Sequence, residues 1–218
     1  MIESNKQEEE EQLEEQLQQE MQEQKNPWWR ELLSYVRLIV WSTIIAVIIN
    51  RYVVINAEIP SESMENLLTV DDRIFGYRLS YVLQQPKRYD VVMFKYPVHE
   101  DTIYIKRVIG LPGETVEIKK GKIYIDGSTT PIEENYLPEK WVDGNDGYVF
   151  HVPEGCFLML GDNRNISEDA RYWAQRAIDA GVAKNRKEAS AYTYVRGDKI
   201  IGRAIFKYYP KFDLFLNI

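Results

Sequence analysis

The sequence predicts a mainly β protein: an antiparallel β-sheet domain behind one N-terminal transmembrane helix, with a small helical insertion. Three observations predict it. Short β-branched and aromatic runs alternate with turn chemistry over about residues 58–165. One apolar run of about 25 residues precedes them, long enough to span a bilayer. An Ala- and charge-rich stretch then interrupts the strands. The 218 residues therefore divide into an acidic cytoplasmic tail (1–29), a transmembrane anchor (30–57) and an extracytoplasmic β-rich domain (58–218) that carries the insertion at 174–191.

The tail comes first. Residues 1–24 hold nine glutamates against Lys6, so the formal net charge of −7 belongs almost wholly to them and the remainder is close to neutral. Leu13, Leu17 and Met21 recur every four residues, which on a helix makes one thin apolar stripe. That stripe is too sparse for a core, so the segment reads as a solvated, partly helical or disordered tail, with a weak coiled-coil contact as the alternative. Nothing in the charge pattern calls for a nucleic acid partner.

The anchor is L-L-S-Y-V-R-L-I-V-W-S-T-I-I-A-V-I-I-N-R-Y-V-V-I-N, residues 32–56. Arg37 and Arg51 sit near its ends, where a long side chain reaches the headgroup layer. Trp28, Trp29 and Tyr52 stand where interfacial aromatics belong. A buried helix of a soluble domain is the alternative, but the run is apolar all round rather than on one face. The acidic lead is too long, and the apolar core too extended, for a cleaved leader with its apolar part of about 7–15 residues. Lys25, Arg30 and Arg37 on the N-terminal flank, against Arg51 on the other, favour a cytoplasmic N-terminus and place the domain outside.

In the domain, D-V-V-M-F-K-Y, I-Y-I-K-R-V-I, T-V-E-I, K-I-Y-I-D and C-F-L-M-L read as strands separated by L-P-G, K-K-G-K, D-G-N-D-G and V-P-E-G. T-V-E-I-K-K-G-K-I-Y-I-D has the pattern of a hairpin. Residues 174–191 suit an exposed amphipathic helix, after which K-I-I-G-R-A-I-F-K-Y-Y-P returns to strand.

Chemistry has few places to reside. The single cysteine, Cys156, lies in an apolar run and forms no internal disulfide, and no metal-ligand spacing occurs, so no cofactor is expected. His99 and His151 are far apart and have no companion motif. Directly after the anchor, however, A-E-I-P-S-E-S-M-E-N presents two hydroxyls, Ser61 and Ser63. A serine needs a base to become a nucleophile. A lysine removed from water can be that base. In I-Y-I-K-R-V-I-G, strand alternation puts Tyr104, Lys106 and Val108 on one face and Ile103, Ile105, Arg107 and Ile109 on the other. Lys106 is thus either a desolvated amine beside an aromatic and a valine or a lysine that snorkels from a strand edge. G-D-N-R-N-I-S-E-D-A-R, residues 161–171, follows the strand ending at Leu160 and suggests a polar turn held by Asp–Arg pairs, or a solvated loop.

Together these motifs resemble bacterial signal peptidase I, the membrane-anchored Ser–Lys peptidase family. The match consists of I-P-S-E-S-M behind an anchor, Y-I-K-R-V-I-G-L-P-G-E, the 161–171 motif and the closing I-I-G-R-A-I-F-K-Y-Y-P. One motif alone is weak; three in order behind a membrane segment are specific. The resemblance implies Ser63 as nucleophile and Lys106 as general base. It implies Ser61, with the Ser63 N–H, as oxyanion donor, and Ser167 as the hydroxyl that orients the lysine. Asp162, Asp169 and Arg171 become structural support. Ile59, Met64, Leu68, Tyr104 and Ile105 become pocket residues that favour Ala-x-Ala-like ends. The implied partners are signal-peptide-bearing preproteins, the lipid bilayer and the export translocon. Two departures stand out: Asn66 and Leu67 replace the family's usual Pro-Thr, and Ala170 replaces a common serine. A peptidase dedicated to one secreted client, or a tethered β-domain that does not cut, are the alternative readings.

Overall fold

Tyr52 ends a 25-residue helix, α1 (Trp28–Tyr52), and the chain turns almost at once to strand. The computed structural model describes residues 12–18, 21, 28–141 and 146–215, which divide into two units between Ile49 and Asn50. In the first unit, residues 12–18 are helical and exposed; the rest of the expected tail, up to residue 27, lies outside the described residues apart from Met21. α1 has no buried residue and is long and apolar enough to cross a membrane. Its serine and threonine hydroxyls bond back along the helix: Ser34 donates to the Glu31 carbonyl at 2.7 Å, and Ser42 and Thr43 donate to that of Ile39 at 2.9 and 2.8 Å.

The second unit opens with β1 (Val54–Glu58), inside the stretch expected to be anchor. V-I-N-A-E is β-branched and alternating, and Ile55 is buried against neighbouring strands. The remaining strands are β2 (Arg73–Tyr77), β3 (Val91–Lys95), β4 (Ile103–Gly110), β5 (Thr115–Lys119), β6 (Lys122–Ile125), β7 (Val149–His151), β8 (Cys156–Leu160), β9 (Val195–Arg196), β10 (Ile200–Tyr209) and β11 (Asp213–Leu214). All pairings are antiparallel. The large sheet runs β1-β2-β10-β3-β4-β8-β9 with β11 beside β10, and a smaller sheet runs β6-β5-β7. The expected hairpin is β5–β6, closed by Lys120 and Gly121 at φ 53° and 66°, the left-handed pair that matches strand twist.

Two apolar clusters form. One gathers β3, β4, β5, β8 and the helix α2 (Ala170–Asp179); the other gathers Ile55, Ile59, Met64, Leu68, Ile74 and Met93 under the first turns of the domain. α2 is capped by Asp169, whose side chain accepts from Arg171 N, and ends at Gly181 with φ 71°. One continuous exposed helix over 174–191 is therefore not what forms. Asn185 starts a second short helix, α3 (Arg186–Ala189), and Ala177, Ala183, Ala189 and Trp173 are buried. The alanines that looked like surface spacing are the packed face. Trp173, with no exposed surface, packs on Phe94, Tyr96 and Tyr104. That one burial contributes about 3 kcal/mol.

Candidate active site

Ser63 sits in a single 3-10 turn, Glu62–Met64, between β1 and β2. The turn is closed by Glu65 N donating to the Glu62 carbonyl at 3.0 Å and Leu68 N to that of Met64 at 2.8 Å. It is anchored by Met64 and Leu68, both without exposed surface. Asn66 then takes φ 82°. A proline fixes φ near −65°, so the family's usual residue cannot adopt this backbone, whereas asparagine tolerates it. Asn66 and Leu67 thus go with a differently shaped turn, and the Asn66 side chain donates to the Tyr136 carbonyl at 3.0 Å.

Lys106 lies mid-way along β4 and is 4% exposed. Its Nζ is 2.7 Å from Ser63 Oγ and 3.1 Å from the Ile105 carbonyl. Among the described residues no carboxylate comes within ion-pair distance of it. The Tyr104 ring lies 5.4 Å away. Burial pushes the amine down from 10.5 to about 8, with the negative charges of Asp169, Asp162 and Glu168 pulling the other way. The alternation expected from sequence and the contact with Ser63 are thus found together. Ser61 Oγ donates to Ser63 Oγ at 3.3 Å.

The 161–171 segment supplies the wall behind this pair. Asn163 N donates to the Ser63 carbonyl at 3.1 Å, and Asn163 Nδ2 donates to Glu65 at 3.0 Å. Asp169 and Arg171 form a fully buried two-pronged pair, at 2.8 and 2.9 Å, and Asp169 also accepts from Gly161 N at 3.0 Å. Asp162 finds a partner that the sequence reading missed. Arg107, fully buried on the other face of β4 from Lys106, binds it at 2.8 and 2.5 Å. An arginine predicted on an otherwise apolar strand face was the available signal, because a buried guanidinium requires a carboxylate. Gly161 was also missed. A Cβ there would lie 2.1 Å from Ser167 Oγ and 2.5 Å from the Ser63 carbonyl oxygen.

Two expectations change. Ser167 is 2% exposed, but among the described residues its hydroxyl has no hydrogen-bond partner; it packs against Gly161 while Lys106 bonds to Ser63 and the Ile105 carbonyl. Ile59, Met64 and Leu68 do not line the groove. They belong to the buried apolar cluster against which Ile105 packs, because the tight turn directs them inward. The groove, about 550 Å³, is lined by Ser61, Ser63, Lys106, Tyr104 and Ile105, together with Pro60, Glu62, Val70, Thr102, Ile103, Ile166 and Glu168. His99 and His151 are exposed and outside it; His151 meets the Thr115 hydroxyl at 3.1 Å. Burial pushes the Cys156 thiol up, which suits a structural cysteine.

An antiparallel sheet presenting a serine hydroxyl against a buried amine at the wall of a groove of mixed polar and apolar lining is the arrangement of a hydrolase of the serine peptidase class. Residues 32–209 match the signal peptidase family, peptidase S26, and the chain belongs to that family. It is 35% identical over 82% of its length to a signal peptidase I of Leptolyngbya laminosa, covering 80% of that protein. It is 32% identical over 85% of its length to a probable signal peptidase I-2 of Synechocystis, covering 75% of that protein. A crystal structure of a signal peptidase I from Enterococcus faecalis V583 matches 55% of the chain and 97% of its own at 28% identity, with a TM-score of 0.41.

Proposed function

We propose that the protein removes signal peptides from exported preproteins, with Ser63 as nucleophile and Lys106 as general base. The observation that carries this reading is the 2.7 Å contact between Ser63 Oγ and a buried, desolvated Nζ. The neutral amine takes the Ser63 proton as Oγ attacks the scissile carbonyl carbon. The developing oxyanion accepts from the Ser61 hydroxyl and the Ser63 N–H. Collapse breaks the C–N bond, and the ammonium of Lys106 returns the proton to the leaving amine. Water then attacks the acyl ester, again losing its proton to Lys106, and Ser63 is regenerated as the signal peptide leaves with a free carboxylate.

Substrate binding is expected along β4. β8 pairs with β4 only at Arg107, Val108 and Gly110, so the edge at Ile103–Ile105 is open among the described residues. An extended peptide can add there as a strand, its alternate side chains entering the groove. Tyr104 and Ile105 leave room for small side chains, which suits Ala-x-Ala-like ends. Ile59, Met64 and Leu68 shape the groove through the core that supports Ile105. Ser167, Asp162, Asp169 and Arg171 hold the wall.

The domain division follows the same reading: an acidic cytoplasmic tail, α1 as a membrane anchor, and an extracytoplasmic peptidase domain that meets preproteins beside the export translocon. The basic flank of α1 supports this orientation. The deciding experiment gives the full chain, in detergent, a peptide with an Ala-x-Ala end. Cleavage after the last alanine that is lost in Ser63→Ala and Lys106→Met supports the assignment. Cleavage that survives either substitution overturns it, and a wild type that binds the peptide without cutting supports the tethered binding domain instead.

A further inference from the structure

The segment 133–141 belongs to no strand, and no sequence motif assigns it a role, yet it touches Asn66, three residues beyond Ser63, and Arg107, one residue beyond Lys106. The Tyr136 carbonyl accepts from the Asn66 side chain at 3.0 Å, three residues beyond Ser63. The Tyr136 ring lies under the Arg107 guanidinium, 4.0 Å from its centre, one residue beyond Lys106. Its hydroxyl donates to Glu134 at 2.8 Å and accepts from Arg164 at 3.1 Å, within the 161–171 segment that also holds the Ser63 carbonyl. Glu134 and Arg164 form an ion pair whose side chains are 7% and 1% exposed.

On the reading that Ser63 and Lys106 are the reacting groups, we propose that Tyr136 is a positioning residue. It joins the nucleophile turn to the lysine strand through Asn66 on one side and Arg107 on the other, and so sets the Ser63–Lys106 separation. Met64 and Leu68 in the core and the Asn163 N–H also hold the turn, and the Tyr136 brace acts beside them. The turn is only one 3-10 turn long, its left-handed residue is Asn66, and its own backbone bonds do not reach β4. Arg107 provides the other attachment because its ion pair with Asp162 is fully buried and cannot move independently of β4. A displacement of about 1 Å between two reacting groups can cost about 100-fold in rate, so a brace of this kind acts on turnover rather than on binding.

The test uses the full chain in detergent with the Ala-x-Ala peptide. Asn66→Gly keeps the φ 82° backbone accessible and deletes only the link to the Tyr136 carbonyl. Tyr136→Leu deletes the ring and the hydroxyl, and Tyr136→Phe restores the ring alone. The expected result is a 5- to 20-fold loss of kcat in Asn66→Gly with KM unchanged (about 1–2 kcal/mol). A larger loss is expected in Tyr136→Leu, with most activity recovered in Tyr136→Phe. The double substitution Asn66→Gly/Tyr136→Leu should cost less than the product of the single losses, because both cut one brace. The Tyr136 ring lies on the face of β4 away from Lys106, so its effect on the amine is indirect: the rising limb of the pH–rate profile should move to higher pH in Tyr136→Leu because the Ser63 turn draws away and water reaches Lys106. Asp162, Asp169, Glu168 and Arg107, the charged groups around that amine, are unchanged in all three variants. Wild-type kcat and pH profile in both Asn66→Gly and Tyr136→Leu, with Ser63→Ala inactive, overturns the brace and leaves the catalytic assignment standing. A merely structural role for Tyr136 lowers thermal stability without moving the pH profile, and that result overturns it too. Retained activity in Ser63→Ala instead removes the reading on which the proposal rests.

Discussion

Lys106 Nζ and Ser63 Oγ lie 2.7 Å apart although 43 positions separate them in sequence, and the amine is buried without a carboxylate beside it. Ser63→Ala and Lys106→Met are each expected to lower kcat by at least about 1,000-fold. Lys106→Arg should be as inactive, because a guanidinium does not lose its proton. Peptide cleavage followed by mass spectrometry checks all three.

The second expectation concerns pH. A general base must be neutral, and an amine brought down to about 8 is neutral in about a tenth of molecules at pH 7. The rate with peptide should rise from pH 6 and level off above about 9. A rise deferred to pH 10 would contradict the desolvated amine.

The same burial has a cost in stability. The folded pKa of Lys106 lies below its unfolded value, so between about 8 and 10.5 the unfolded chain binds more protons. The penalty is therefore full below about pH 8 and is relieved as pH rises toward 10.5. It amounts to about 3 kcal/mol. Lys106→Met should melt at higher temperature than wild type at pH 7, and the gap should narrow toward pH 10. Thermal unfolding of the full chain in detergent measures this; a variant less stable than wild type at pH 7 would refute it.

Gly161→Ala tests the tight contact behind Ser63. The new methyl would meet the Ser63 carbonyl oxygen at 2.5 Å and the Ser167 hydroxyl at 2.1 Å. Both the Ser63 turn and Ser167 must then shift, and a loss of about 100-fold in kcat is expected. Unchanged kcat would show that the wall yields without disturbing the nucleophile.

Asp162→Ala leaves Arg107 buried and unpaired. The expected loss is about 3–5 kcal/mol of stability, read as a large fall in melting temperature. An exposed pair such as Arg196–Asp198 should cost less than about 1 kcal/mol on the same measurement.

The strands were legible because their signals are local, whereas periodicity alone left Lys106 open and only the three motifs in order singled out Ser63 and Lys106. Period-two alternation around Lys106 and the β5–β6 hairpin turn can be read a few residues at a time. The boundary between α1 and β1 was not legible, since Val54 and Ile55 are as apolar as the helix before them and only pairing with β2 makes them strand. The burial of Ala177, Ala183 and Ala189 was hidden because alanine suits a surface helix and a packed one equally. Arg107, Gly161 and Tyr136 escaped because their meaning lies in residues far off in the chain that fold against them.

β4 ends its pairing with β8 at Arg107, and the Ile105 carbonyl, just beyond, already serves as an acceptor. On the proposed reading, a peptide docked there is gripped chiefly by atoms common to every polypeptide. On that reading, leaders that share almost no letters would be processed alike, and discrimination would arise only where a bulky group fails to fit.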